Sequence, residues 1–201
     1  MKTIKTQMKL KMATGIASLL MSAMSFAQTD STNETTYQRD GFIFEIGLGG
    51  GVISLEDSDG IQTFDTSQGT FSFPELKFGF MLHDKLALTA SMPGNIYEFQ
   101  DNDRHFGGLI PSVQYWIKDR WWIHGGIGLA IDGPALYDIN DDNNDWNFGC
   151  AVMVSTGYEI YKKKNFALNL QSKIVLGRAF LEGDAYRDAA LFNVGLGFSW
   201  L

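Results

Sequence analysis

From Gly41 onward, large apolar side chains fall on alternate positions with few interruptions. The closing stretch is the clearest, with Phe192, Val194, Leu196, Phe198 and Trp200 alternating with Asn193, Gly195, Gly197 and Ser199. A period of two marks a β-strand with two chemically distinct faces. Seven earlier runs repeat it. Phe42, Phe44, Ile46, Leu48 and Val52 oppose Glu45, Gly47, Gly49 and Gly51, and Leu76, Phe78, Phe80 and Leu82 oppose Glu75, Lys77 and Gly79. Leu86, Leu88, Ala90 and Met92 make a third run; Leu109, Pro111, Val113, Tyr115 and Ile117, set against Ser112 and Gln114, make a fourth. The next three place Trp121, Ile123, Ile127, Leu129 and Ile131 against His124, then Phe148, Val152, Val154, Tyr158 and Ile160 against Ser155 and Glu159. In the last of them Phe166, Leu168, Leu170 and Ile174 stand against Asn169, Gln171 and Lys173.

The connections alternate in length. His83-Asp84-Lys85, Lys118-Asp119-Arg120 and Lys162-Lys163-Lys164-Asn165 read as tight turns, whereas DSDGIQTFDTSQ, EFQDNDR, DGPALYDINDDNND and EGDAYRD read as four longer acidic loops. This is the rhythm of an up-and-down barrel with both termini on the short-turn side. Phe71 and Phe73 are out of phase with Phe78 and Phe80, so a bulge near Pro74 is expected, and Pro93-Gly94 is expected to interrupt the third strand.

Residue size decides which face is inside. Eight strands enclose a bore only just wide enough to be filled by side chains. Phe, Leu, Ile, Tyr and Trp crowd one face of all eight runs, which is too much volume for that bore. Gly, Ala, Ser and Thr with a few long polar groups occupy the other, which fits. A soluble lipocalin-like binder would need the reverse arrangement. The expected fold is therefore all-β: an eight-stranded antiparallel up-and-down transmembrane β-barrel, apolar outward and polar inward. Hydrocarbon offers no partner to a free N–H or C=O, so the last strand must pair with the first. Phe42, Tyr115, Trp121, Tyr158, Phe166 and Trp200 would line one membrane interface, and Tyr97, Phe106, Trp146 and Phe180 the other.

The region before the runs changes the compartment. Lys2, Lys5, Lys9 and Lys11, an apolar stretch MATGIASLLMSAM and Ser25-Phe26-Ala27 make residues 1–27 a signal peptide with cleavage before Gln28. Residues 28–40 are a polar leader and residues 41–201 the barrel. Loss of four lysines and no acids takes the formal charge from −7 to −11. So acidic a chain, without a basic stripe, argues against nucleic acid as a partner. One cysteine, Cys150, makes no disulfide framework.

With this pattern, residues 41–201 resemble the small eight-stranded outer-membrane barrels of Gram-negative bacteria, of the OmpA transmembrane-domain, OmpX and OmpW type. The terminal strand, Phe192, Val194, Leu196, Phe198 and Trp200, is similar to the assembly signal of that group. The resemblance implies an integral outer-membrane location with periplasmic termini, and the barrel-assembly machinery, membrane lipid and lipopolysaccharide as partners. A monomer with no cofactor is expected.

Inward-facing Glu45, Glu75, Lys77, Gln114, His124, Glu159, Gln171 and Lys173 form the candidate site. Charges of both signs in a narrow lumen should pair. They would make a polar plug, and the protein would be structural or surface-interacting, with a conduit for small or apolar solutes as the alternative. Enzymes on this scaffold resemble one another in a His-x-Ser pair, where imidazole activates a hydroxyl. His83, His105 and His124 each lack a serine two residues on, so no catalytic role is expected. The loop DINDDNND has the opening spacing of a calcium loop, but Asn143 replaces its turn glycine and Gly149 its bidentate Glu, so no metal site is assigned.

Overall fold

The structure is a computed structural model that describes residues 39–58, 67–99, 101–139 and 144–201. The segment read as a signal peptide, and all but the last two residues of the one read as a leader, lie outside the described residues. Nine strand segments follow in order: β1 Phe42–Asp57, β2 Gln68–His83, β3 Leu86–Met92, β4 Gly94–Phe99, β5 Asn102–Trp116, β6 Trp121–Pro134, β7 Asn147–Lys163, β8 Phe166–Phe180 and β9 Tyr186–Trp200. β3 and β4 are two halves of one barrel strand, broken at Pro93, and both pair with β5. All neighbours are antiparallel. β1 pairs with β9 from Phe44↔Trp200 to Asp57↔Arg187, which closes an eight-stranded barrel.

The alternation becomes a wall with two faces. Phe78, Phe80, Ile127, Val154, Leu176 and Trp200 are exposed, while Lys77, His124, Ser155, Lys173 and Ser199 are buried between them. In β2 the bulge falls at Phe73-Pro74: Gly47 faces Glu75, and two residues later Gly49 faces Ser72. That extra residue turns Phe71 outward, where it is 80% exposed. Pro111 also points outward, and the β5–β6 pairing is interrupted across it, between Leu109↔Leu129 and Ser112↔Gly126, with the register unchanged.

A second bulge, which the pattern did not announce, sits at Ile160 in β7. It leaves Ile160 and Tyr161 both exposed and brings Lys162 round toward the lumen. Two of the four long loops are corrected as well. EFQDNDR is mostly strand: β4 runs on to Phe99 and β5 begins at Asn102, paired with each other, with Asp101 in the left-handed region at φ 62°. EGDAYRD shrinks to a connection around the 3-10 turn Glu182–Asp184, because β9 already begins at Tyr186. Strands of 15 residues are about 50 Å long at about 3.3 Å per residue. Tilted by about 40° they rise about 38 Å, more than the roughly 25 Å apolar band of such barrels. The excess stands beyond the apolar belt as paired strand.

Candidate functional site

The lumen is built in storeys. At the end bearing the short turns, Trp116 and Trp122 are buried side by side with Ile43 and Ala87, and Leu201 packs against this group. The first described residues, Arg39 and Asp40, lie here. Arg39, 4% exposed, sends its guanidinium under the barrel, 4.6 Å from the centre of the Trp116 ring. Its Nη2 donates to both oxygens of Glu159, at 3.0 and 3.2 Å, and to the Asp119 carbonyl. The Trp116 indole donates to the same carboxylate at 2.7 Å, and Lys162 stands 3.6 Å from it. Gly41, at φ +81°, makes the turn that lets the chain leave this mouth and start β1.

Above lies a polar storey. Lys77 bridges Glu45 (2.9 Å) and Gln114 (2.8 Å) and sits 4.7 Å over the Trp122 ring. Ser199 donates to Glu45, and Asn169 joins Ser199, Glu45 and the Trp122 indole. His124 contacts Thr89 and Ser91 through Nε2 and Ser155 through Nδ1. Lys173 is ion-paired to Glu75, and Gln171 lies with them around a void of about 10 Å³, about one water in size. All eight polar residues singled out from the sequence thus face inward, with Glu159 in the mouth below and the rest in the middle.

The lumen is not polar throughout, which corrects the sequence reading. Ile53, Phe106, Ile110, Met153, Val175 and Leu191 form a buried apolar storey toward the opposite end. Phe106 belongs to this storey and Tyr97 packs with it; both point inward and are not interface aromatics. Over them lies a charged lid. Asp132, 0% exposed, accepts from the Tyr97 hydroxyl at 2.7 Å and from Arg187 at 3.3 Å, with Arg104 3.5 Å away. Arg187 also forks onto Asp57 at 2.7 and 3.1 Å.

Arg39, Asp57, Arg104, Asp132, Lys162 and Arg187 were missed because their strands were ended too soon or their segments taken for loops. For the strand residues the signal was present: Asp132 keeps the parity of His124 on β6, and Arg187 that of Asn193 on β9. For Lys162, only the Ile160 bulge supplies it. In the connection after β6, Asp138 accepts the Asp103 amide at 2.7 Å and Tyr137 donates to the Asp103 carboxylate at 3.1 Å. Partial desolvation, then that carboxylate, raises the Tyr137 phenol above its usual range. Asn140 to Asn143 lie outside the described residues, and no metal-holding group of three acidic, His or Cys side chains occurs among the described ones.

Arg39 and Glu159 should be energetically coupled, since each leaves a buried charge behind when the other is removed. A double-mutant cycle with Arg39→Ala and Glu159→Ala, read from urea midpoints, is expected to give a coupling of about 2–3 kcal/mol. Additive effects would show that Arg39 does not close this mouth.

No family model matches the chain, and no curated protein matches it. Solved structures do. Neisserial surface protein A aligns with 78% of this chain and 96% of its own at 13% identity and TM-score 0.50. Ail, the attachment invasion locus protein of Yersinia pestis, solved in complex with the heparin analogue sucrose octasulfate, gives 13% identity, 79% and 99% coverage and TM-score 0.49. OprG, an outer-membrane protein of Pseudomonas aeruginosa, gives 13% identity, 81% and 97% coverage and TM-score 0.41. At this identity the likeness to the Neisserial barrel speaks for fold: the chain has the architecture of the small eight-stranded outer-membrane barrels.

Proposed function

We propose that this chain is an integral outer-membrane barrel with a closed lumen. It acts through its wall and the loops and hairpin at its outer end, as a structural or surface-interacting protein without catalytic chemistry. The observation that carries this reading is the inversion of the wall. Large apolar side chains such as Phe71, Phe80, Leu82, Ile127 and Val154 are each at least 61% exposed, while ion pairs lie inside. A soluble protein does not display an apolar surface of this extent to water, and a bilayer demands one. The short-turn end is then periplasmic. Phe192, Val194, Leu196, Phe198 and Trp200 lie on the outer face of β9, at the seam with β1, and would be read there by the barrel-assembly machinery. Lipid and lipopolysaccharide would surround the wall.

Closure of the bore supports this reading over a solute conduit. Both mouths carry buried ion pairs, and an apolar storey separates them. Purified mature protein is expected to need surfactant or lipid to stay monomeric, to migrate in a heat-modifiable compact form, and to give no unitary steps in planar bilayers. Steady steps that shift on Glu45→Gln or Lys77→Gln would replace this reading with the conduit. A folded monomer in plain buffer would remove the membrane assignment itself.

A further inference from the structure

The two ends of the barrel carry opposite charge. At the short-turn end Lys85, Lys118, Arg120, Lys163 and Lys164 are exposed, and none forms an ion pair among the described residues. They come from three different turns, β2–β3, β5–β6 and β7–β8, so they are spread round the rim. Of the acids nearby among the described residues, Asp119 is engaged by Arg39 and Lys162 and Asp84 lies against His83, which leaves Asp40. At the opposite end Glu56, Glu98, Asp101, Asp145, Glu182 and Asp184 are exposed. No lysine occurs there among the described residues. Arg104 and Arg187 are buried, and Arg178 is tied to Asp188 by two bonds of 2.7 and 2.9 Å.

The basic rim lies directly beyond a band of outward aromatic rings. Phe80 meets Phe42 at 5.4 Å; Trp200 stacks on Phe44 and meets Phe166, both at 5.7 Å; Phe166 meets Tyr161 at 6.3 Å. Rings of this kind favour the level of lipid headgroups. Ammonium and guanidinium groups just past them stand where headgroup phosphates lie.

We infer that the short-turn rim is a docking collar for anionic phospholipid headgroups of the leaflet that surrounds it. The inference rests on the membrane reading above. The collar acts against the charge of the molecule as a whole. A mature chain of −11 should be repelled by an anionic surface, so any preference for one must come from local placement. At ordinary ionic strength the Debye length is about 10 Å. The rim therefore responds to the adjacent headgroups, while the acids at the far end are screened from them.

Trp146→Phe protein, whose remaining tryptophans Trp116, Trp121, Trp122 and Trp200 all lie at the short-turn end, is folded into phosphatidylcholine vesicles. Quenching by brominated phosphatidylglycerol is then compared with quenching by brominated phosphatidylcholine. The expected result is a phosphatidylglycerol preference of about fivefold, from about 1 kcal/mol per basic residue at such a surface. It should disappear at molar salt and in the variant Lys85→Gln, Lys118→Gln, Arg120→Gln, Lys163→Gln, Lys164→Gln. No preference in the parent protein, or a preference that survives in the five-fold variant, overturns the collar and leaves the membrane reading intact. A chain that will not enter vesicles at all overturns both.

Discussion

Replacing Gly51 with valine is expected to keep the barrel from closing. Gly51 faces inward on β1 opposite Asn193 of β9, at the seam where the last strand meets the first. A Cβ at this position would press into the Phe192 carbonyl and the Asn193 side chain. The obstacle is backbone, which no rotamer change can clear. Asn193 is held in turn by a reciprocal pair of bonds to Asn95, at 2.8 and 2.6 Å, across the lumen. Overpacking of a tight site costs about 1–3 kcal/mol and more where backbone must shift. In an open sheet the strand could move away, but in a closed barrel it has nowhere to go. The compact heat-modifiable species should fall to a minor fraction, with Gly51→Ala intermediate. Gly69, whose added Cβ would meet nothing within 4 Å, supplies the control: Gly69→Ala should change the urea midpoint by no more than about 0.5 kcal/mol equivalent. Equal folded yield from Gly51→Val and Gly69→Ala would mean that the seam is looser than its geometry.

The second large effect is expected at the outer mouth. Asp132→Ala removes the carboxylate that faces Arg187, Arg104 and the Tyr97 hydroxyl, and so takes one counter-charge from two arginines that are 6% and 9% exposed at the side chain. Breaking a buried pair from one side costs about 3–5 kcal/mol. Arg187 keeps Asp57, so the loss should fall at the lower end of that range. It should appear as faster proteolysis at the β4–β5 hairpin and a lower urea midpoint. Asp132→Leu combined with Arg187→Met, which removes charge from both sides, should recover much of it, since a well-packed apolar replacement is often neutral or better. If the single variant were as stable as the parent, the charged lid would be incidental to the fold. If the double variant were worse than the single one, the lid would be held by geometry and not by charge balance.

The fold was legible in the chain because its signal is local. Phe42 to Trp200 alternate with small and polar residues at a period that only strands use, and between bulges the face each residue takes follows from parity. The interruptions at Pro74 and Pro93 were legible for the same reason, since a missing donor is a property of one residue. Parity assigns a face and not a height, however, and it fails wherever a strand is stopped too early. Asp132 and Arg187 looked like loop residues because glycines, prolines and acids surround them, although both belong to strands that run past the apolar belt. Phe106 and Tyr97 looked like interface rings because rings at strand ends usually are.

What the sequence determined by itself is therefore the strand count, the closing pair and the inverted wall. Only the closed, tilted sheet decided which inward charges meet. It brings Arg39 under the barrel to Glu159, 120 residues away in the chain, and places an apolar storey between two polar ones. The physical reason is one of range. A strand's two faces are fixed by backbone geometry within a few residues, whereas pairing across a bore depends on the stagger and curvature of all eight strands at once.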